Sequence, residues 1–540
     1  MKFSRRNFLR AGAGAAVLAA TPRWLAAAAP SRQSMVPANS DPDVRTLAFR
    51  AIEAARSAGA AYADVRLTHT YVRSIEPYNR RAEDSEEMSV GARALVDGYW
   101  GFASGSYWTP DEVVRLGREA VAQAKTNALG ATRVVELARV PVVSDGHWET
   151  PVAIDPFEVP VDEVFDYLNA VGIYGRALRS GIGVTLGCMF YRQEKTFAST
   201  GGTFVTQVLR RTGGGLQLDY RGNTLRPDER YPTSIISPLL KLVGRGWESI
   251  REAPLREEIP ALVARLEEEW RLPTRPVEVG RYDVVFDARS VGTILDATIG
   301  SATELDRAMG YEANAGGTSY LNDPLAMIGS EEMGSPLLTV VADRSTPGAL
   351  ATAKWDDEGV EPEPFTLVKD GVLTDFQTTR ESAGWLEEYY ARHGLPVRSH
   401  GCAAAPSALH STMQHPPNMA LAPGGRQIGL AELTADIEKG VLVTELDLDM
   451  DFQHSSGWSV GGNFYRIEKG KKVARLQGAG LLFRAPTLWK SLAALGGPRS
   501  LEWWPATARK GEPPRRWTYS VGAVPARFGN ITIIDPTRRA

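Results

Sequence analysis

Residues 41–69 read DPDVRTLAFRAIEAARSAGAAYADVRLTH, and two periods meet inside them. Val44, Leu47, Ala48, Ala51, Ile52 and Ala55 recur at spacings of three and four, which draws one apolar stripe along a helix. Asp41 is the expected cap, Pro42 suits the first turn, and Gly59 closes the helix. The period then falls to two. Val65, Leu67 and His69 alternate with Arg66 and Thr68, the pattern of a half-buried strand. With no second ligand type beside it, His69 reads as a strand residue.

Working outward, RALVDGYWGFA (93–103) predicts two strands around the hairpin turn Asp97-Gly98. TPDEVVRLGREAVAQA (109–124) predicts a helix with Thr109 and Glu112 at capping-box spacing and Pro110 between them. Helix, strands and helix without a βαβ repeat predict an α+β fold with an antiparallel sheet. Residues 161–178 read as helix. Residues 183–200 and 202–222 read as long antiparallel strands punctuated by Gly-Gly turns. A charged helix at about 256–271 runs into RLPTRPVEVGR (271–281), the main expected boundary, and short strands follow. The expected divisions are an export signal (1–29), a linker (30–40), an N-terminal α+β domain (41–145), a central region (146–275) and a strand-rich C-terminal domain (276–540).

A chain of 540 residues exceeds one core, and 43% apolar with 23% charged residues is ordinary for a soluble globular protein. Lys and Arg (61) nearly balance Asp and Glu (64), which argues against nucleic acid as a partner. At the start, SRRNFLR carries Arg5 and Arg6, followed by AGAGAAVLAATP and WLAAAAP. Paired arginines, a short apolar run and small residues near Ala28 and Ala29 predict twin-arginine export to the periplasm, with no stable membrane span after cleavage. The two cysteines, Cys188 and Cys402, are too few for a disulfide framework.

The segment with the look of a site is TILDATIGSATELDRAMGYEANAGGTSY (293–320), which holds no His, Cys or Lys. Two further blocks frame it: AKWDDEGVEPEPFTLVKDGVLTDFQTTRESA (353–383), with an acidic step and an Asp370-Gly371 hairpin, and GGNFYRIEKGKKVARLQGAGLLF (461–483). With VGARALVDGYWGFAS (90–104), these blocks resemble the TldD/PmbA family, once named modulators of DNA gyrase and now grouped as zinc metallopeptidases. The likeness spans most of residues 45–535. It implies a zinc helix with the pattern His-Glu-x-x-x-His, and a Cys ligand near the C-terminus.

On that alignment Gly300 matches the inner glycine, and Glu304 and Asp306 match the trailing acids. Asp296 and Ser301 stand at the two His positions, Ala297 at the Glu position, and Ala508 nearest the Cys. A catalytic zinc needs about three N, S or carboxylate ligands and an open position for water, with a carboxylate to take the proton. The expectation is a degenerate site that holds no metal, in a chain inactive as a peptidase by itself. The resemblance further implies a homo- or heterodimer with a paralogue and a peptide or unfolded-protein substrate. The alternatives are an active metallopeptidase with unrecognised ligands and a stand-alone peptide-binding periplasmic protein.

Three other constellations carry candidate ligands. Glu304, Asp306 and Glu312 read either as a hard-cation cluster or as a polar helix face paired with Arg307, and the second is preferred. His400, Cys402, His410 and His415 in SHGCAAAPSALHSTMQH (399–415) suit zinc by type, but their spacing matches no finger or ribbon. In VTELDLDMDF (443–452), Glu445, Asp447, Asp449 and Asp451 alternate as one acidic face, a calcium candidate or a wet strand surface. His454 beyond it lacks a nucleophile elbow.

Overall fold

The computed structural model describes residues 43–129, 134–220, 233–237, 239–314, 316–512 and 514–536. The twin-arginine segment, the linker, Asp41 and Pro42 lie outside the described residues. Helix α1 (Val44–Ser57) is capped by Asp43, not Asp41: helical backbone starts at Val44, and the Asp43 carboxylate accepts the Arg45 N–H at 3.1 Å. Strands β1 (Tyr62–Glu76), β2 (Arg81–Val96) and β3 (Tyr99–Gly105) follow, then α2 (Pro110–Asn127). Asp97 and Gly98 both take positive φ, +51° and +83°, as a two-residue hairpin turn requires. Only half of the capping box forms. The Thr109 hydroxyl accepts the Glu112 N–H, while the Glu112 carboxylate pairs with Arg115.

Next come β4 (Gly146–Glu149), α3 (Val161–Ala177), β5 (Ile182–Ser199), β6 (Phe204–Tyr220), β7 (Thr233–Ile236) and α4 (Leu255–Arg271). The sheet order is β3-β2-β1-β5-β6-β4, with β7 on β6. Residues 41–145 and 146–275 therefore build one sheet. Val65, Leu67 and Val90 pack under α1 and α2, and Phe190, Leu216 and Leu218 under α3 and α4. Gly213, Gly214 and Gly215 do not turn the chain as expected but lie inside β6. A Cβ at Gly213 would meet the chain crossing at 241–242, and one at Gly214 would meet Gly187 on the paired strand β5; Leu240 O accepts the Gly214 N–H at 2.6 Å.

The second half begins at β8 (Thr274–Pro276), which joins its sheet through a parallel pairing with Arg475–Gln477. Five of its strands close a ring: Lys439–Met450 (β16), Gly280–Phe286 (β9), Ala526–Ile534 (β23), Gly480–Arg484 (β19) and Ser456–Glu468 (β17), with β17 back on β16. A six-stranded sheet beside it contains Val340–Ala342, Met419–Leu421, Arg515–Ala523 (β22) and, at one edge, Glu502–Lys510 (β21). Helix α5 (Ala288–Leu295) packs against both β16 and β22. Val284, Phe286, Val443, Phe464, Phe528 and Trp489 fill the core.

The acidic step at 356–358 clasps the two halves. Asp357 pairs with Arg66 and Lys195, and Glu358 with Arg93, which also grips Asp64 at 2.6 Å. All of these side chains are buried. Asp356 turns inward, accepting the N–H groups of Glu358 and Val360 at 2.9 Å. Cys188 and Cys402 are both free and buried. Among the described residues no helix is long and apolar enough to cross a membrane.

Candidate functional site

Asp287 caps α5 by accepting the Ser290 N–H at 2.8 Å. The helix is regular to Leu295 and then widens into a π turn over Asp296–Gly300. Such widened turns recur where side chains are re-aimed at functional positions. The turn is pinned by the Trp489 indole, which donates to Thr298 Oγ1 at 2.8 Å. A Cβ at Gly300 would lie 2.8 Å from the Met419 sulfur, so the glycine there answers a close approach.

An open cleft of about 410 Å³ faces this turn. Asp296, Ala297 and Ser301 form one wall; Asp449, Asp451 and His454 form the other. The Tyr519 hydroxyl donates to Asp296 Oδ1 at 2.6 Å. Burial pushes the Asp296 carboxyl up to about 6, against the lowering effect of that hydrogen bond. Ala508 sits on the same sheet face. It lies opposite Trp517, while Ala506 lies opposite Tyr519, so the Ala508 methyl points the way the tyrosine reaches.

His454 holds positive φ (+60°), which turns its ring into the cleft. Its Nδ1 lies 2.9 Å from the Ala297 carbonyl and its Nε2 3.3 Å from Arg307 Nη1. A proton on Nδ1 satisfies both contacts, because the guanidinium can only donate. Burial first, and then Arg307, hold this imidazole below its ordinary value. With the proton on Nδ1, the Nε2 lone pair is aimed at a cation.

Glu304 and Glu312 are not a polar helix face. They are buried against Lys510, whose Nζ lies 3.1 Å from Glu304 and 2.6 Å from Glu312. Arg307 lies 3.1 Å from Glu304 and 3.3 Å from Glu312. Two anions and two cations close on each other, so neither carboxylate is left for a hard cation. Burial alone would lower Lys510, but Glu304 and Glu312 hold it above its ordinary value. Asp306 stands apart: its Oδ1 is buried without a partner, and burial followed by Glu312 pushes it up to about 8.

The acidic face of 443–452 is broken by a bulge. Glu445 takes φ +54°, and the register with β17 shifts between Thr444 and Asp447. Glu445 turns inward to the Ile236 N–H and is pushed up to about 7 by burial. Asp451 accepts the N–H groups of Ser455 and Ser456 at 2.8 and 3.1 Å, leaving only Asp447 and Asp449 in solvent. The histidine-rich segment also disperses. His400 pairs with Asp375 at 2.9 Å and stacks on Phe365, His410 meets Ser407 at 3.3 Å, and buried His415 stacks on Trp517. Cys402 lies buried near the His400 carbonyl.

The residues at the turn do not fit a catalytic zinc. Ala297 and Ala508 offer no donor, Ser301 offers a neutral hydroxyl, and the Asp296 carboxylate is engaged by Tyr519. The one imidazole in the cleft directs its free nitrogen at Arg307. Among the described residues no three His, Cys, Asp or Glu side chains gather to hold a metal ion. Tyr519, Lys510 and the placement of His454 are not visible in the sequence, because each depends on strand pairing across more than a hundred residues.

Comparisons with known proteins agree with this architecture. Residues 279–534 match the PmbA/TldA metallopeptidase C-terminal domain, and residues 63–124 match PmbA/TldA metallopeptidase domain 1. A metalloprotease of Methanocaldococcus jannaschii is 23% identical over 433 residues, covering 78% of this chain and 86% of that protein. A metalloprotease of Archaeoglobus fulgidus is 23% identical over 328 residues, covering 59% and 67%. Among solved structures, a proposed modulator of DNA gyrase from Bacteroides thetaiotaomicron has TM-score 0.67 at 16% identity, over 92% of this chain and 99% of that one. TldE from Thermococcus kodakarensis has TM-score 0.67 at 15% identity, over 89% and 98%. The two domain matches, with a relative aligned over most of its length and the shared fold beside them, make this chain a member of the PmbA/TldD metallopeptidase family.

Proposed function

We propose that this chain is an exported, non-catalytic subunit of a peptide-processing metalloprotease assembly, paired with a paralogue whose zinc motif is intact. The observation that carries this reading is the donor set around the π turn. Asp296 is tied to Tyr519, Ala297 and Ala508 carry methyl groups, and Glu304 and Glu312 are neutralised by Lys510 and Arg307. A site so arranged neither fixes a divalent ion nor takes a proton from water at the position where the resemblance puts a glutamate. What the chain retains is an open cleft and, in the neighbouring sheet, an edge strand. The outer edge of β21 takes no strand among the described residues, so an extended peptide can add there by backbone hydrogen bonds. Export through the twin-arginine route to the periplasm belongs to the same proposal, resting on Arg5, Arg6 and the apolar run behind them.

The test is zinc content and peptidase turnover, measured for the purified chain alone and after mixing with the intact paralogue. The expected outcome is less than a tenth of an equivalent of zinc and no turnover alone, with turnover and a stable complex once the paralogue is added. Stoichiometric zinc, lost with activity when His400 or His410 is replaced, would instead establish a working metallopeptidase with other ligands. Failure to bring down any related chain would favour a stand-alone peptide-binding protein.

A further inference from the structure

A cavity of about 530 Å³ lies where β6 meets the loop 343–352 of the second half, and it shares no lining residue with the cleft at Asp296. Its volume is in the range of small-molecule sites, roughly 300–1,000 Å³. Arg210, Arg211 and Arg245 line it, and no carboxylate does so among the described residues.

The three arginines differ in what they already hold. Arg210 is saturated, with Glu149 at 2.7 Å and Asp155 at 2.8 Å. Arg211 is only 9% exposed, and its side-chain partner is the neutral Tyr191 hydroxyl, with no carboxylate paired to it among the described residues. Its Nε donates to the Leu350 carbonyl at 3.1 Å, and its guanidinium lies 4.9 Å from the Tyr191 ring centre. Arg245, half exposed, stands 3.9 Å from Glu248. That carboxylate is already bonded to the Gly246 and Ile154 N–H groups at 2.9 and 3.0 Å.

A buried charge without a counter-charge is costly, and a planar guanidinium is the side chain best shaped to recover that cost from an oxyanion. Burial first, with Arg344 adding to it, holds Arg211 below its ordinary value, while the Tyr191 hydroxyl beside it acts the other way. The walls are drawn close by backbone: Gly244 donates to the Gly348 carbonyl at 2.8 Å, and a Cβ at Gly244 would meet Ala349 O at 2.8 Å. Trp148 supplies an apolar side.

We propose that this cavity binds a small ligand through one phosphate or carboxylate group, clasped between Arg211 and Arg245. The assignment is independent of whether the chain has a catalytic partner. The experiment is thermal melting and calorimetric titration of the purified chain with sodium phosphate and with sodium succinate, each against sodium chloride of equal ionic strength. A saturable rise in Tm with at least one anion is expected, with Kd weakened at least tenfold in Arg245→Gln and in Arg211→Gln. Arg245 is half exposed, so its variant separates loss of binding from loss of fold. A response to phosphate alone assigns a phosphate-bearing ligand, and a response to succinate alone assigns a carboxylate. Absence of any saturable rise above chloride, or an unchanged Kd in Arg245→Gln, overturns the proposal.

Discussion

Asp296 carries the most direct chemical consequence of the site. Its folded pKa of about 6 stands above the ~3.9 of an unfolded aspartate, so the native state holds the proton more tightly. Its contribution to stability is therefore present in full below pH ~4 and is lost as pH rises to about 6. Asp296→Asn should raise Tm at pH 8, with the gain shrinking towards zero at pH 4, while the Tyr519 hydroxyl still has an oxygen to donate to. A gain that is the same at both values would show that the carboxyl does not titrate in this window. Asp306 and Asp356 also ride above their ordinary values, but both are present in each protein and cancel in the difference. The sequence shows which side chains stand at 296, 297, 301 and 508. It does not show that a tyrosine from β22 reaches the first of them, nor that Lys510 neutralises Glu304. Those facts depend on which edge of a sheet a late strand takes.

Periodicity made the regular elements readable. The stripe of α1, the Asp97-Gly98 and Asp370-Gly371 hairpins and the long helices all stand where spacing or turn chemistry predicts them. Features that interrupt periodicity were hidden. The π turn, the bulge at Glu445 and the glycines inside β6 all answer a neighbour distant in sequence. Gly214 tests this reading, because a Cβ there would overlap the Gly187 carbonyl oxygen on the paired strand, and backbone cannot swing aside as a side-chain tip can. Gly214→Ala should cost about 2 kcal/mol in urea unfolding. Gly425→Ala, with open space around its Cβ, should stay within about 0.5 kcal/mol. Equal effects at the two positions would mean that β5 and β6 are not held at this separation.

The two halves are joined by charges withdrawn from water. Arg93 spans Asp64 in the first half and Glu358 in the second, with all three side chains at most 8% exposed. Removing the cation strands two buried carboxylates, so Arg93→Met should destabilise the protein by about 3–5 kcal/mol in denaturant unfolding. A loss below about 1 kcal/mol would mean that water already reaches the pair. The acidic step at 356–358 was legible as a motif, but its role as a clasp was not, since its partners Arg66, Arg93 and Lys195 all lie more than a hundred residues earlier. The ring of the second half adds an obligation of timing. Its opening strand, β9, is flanked on one side by β23, which follows more than two hundred residues later, so a ribosome must deliver all of that intervening chain before the barrel can shut. Until then β9 keeps unpaired edges, an exposure the first sheet does not share, because its strands all lie within residues 62–236.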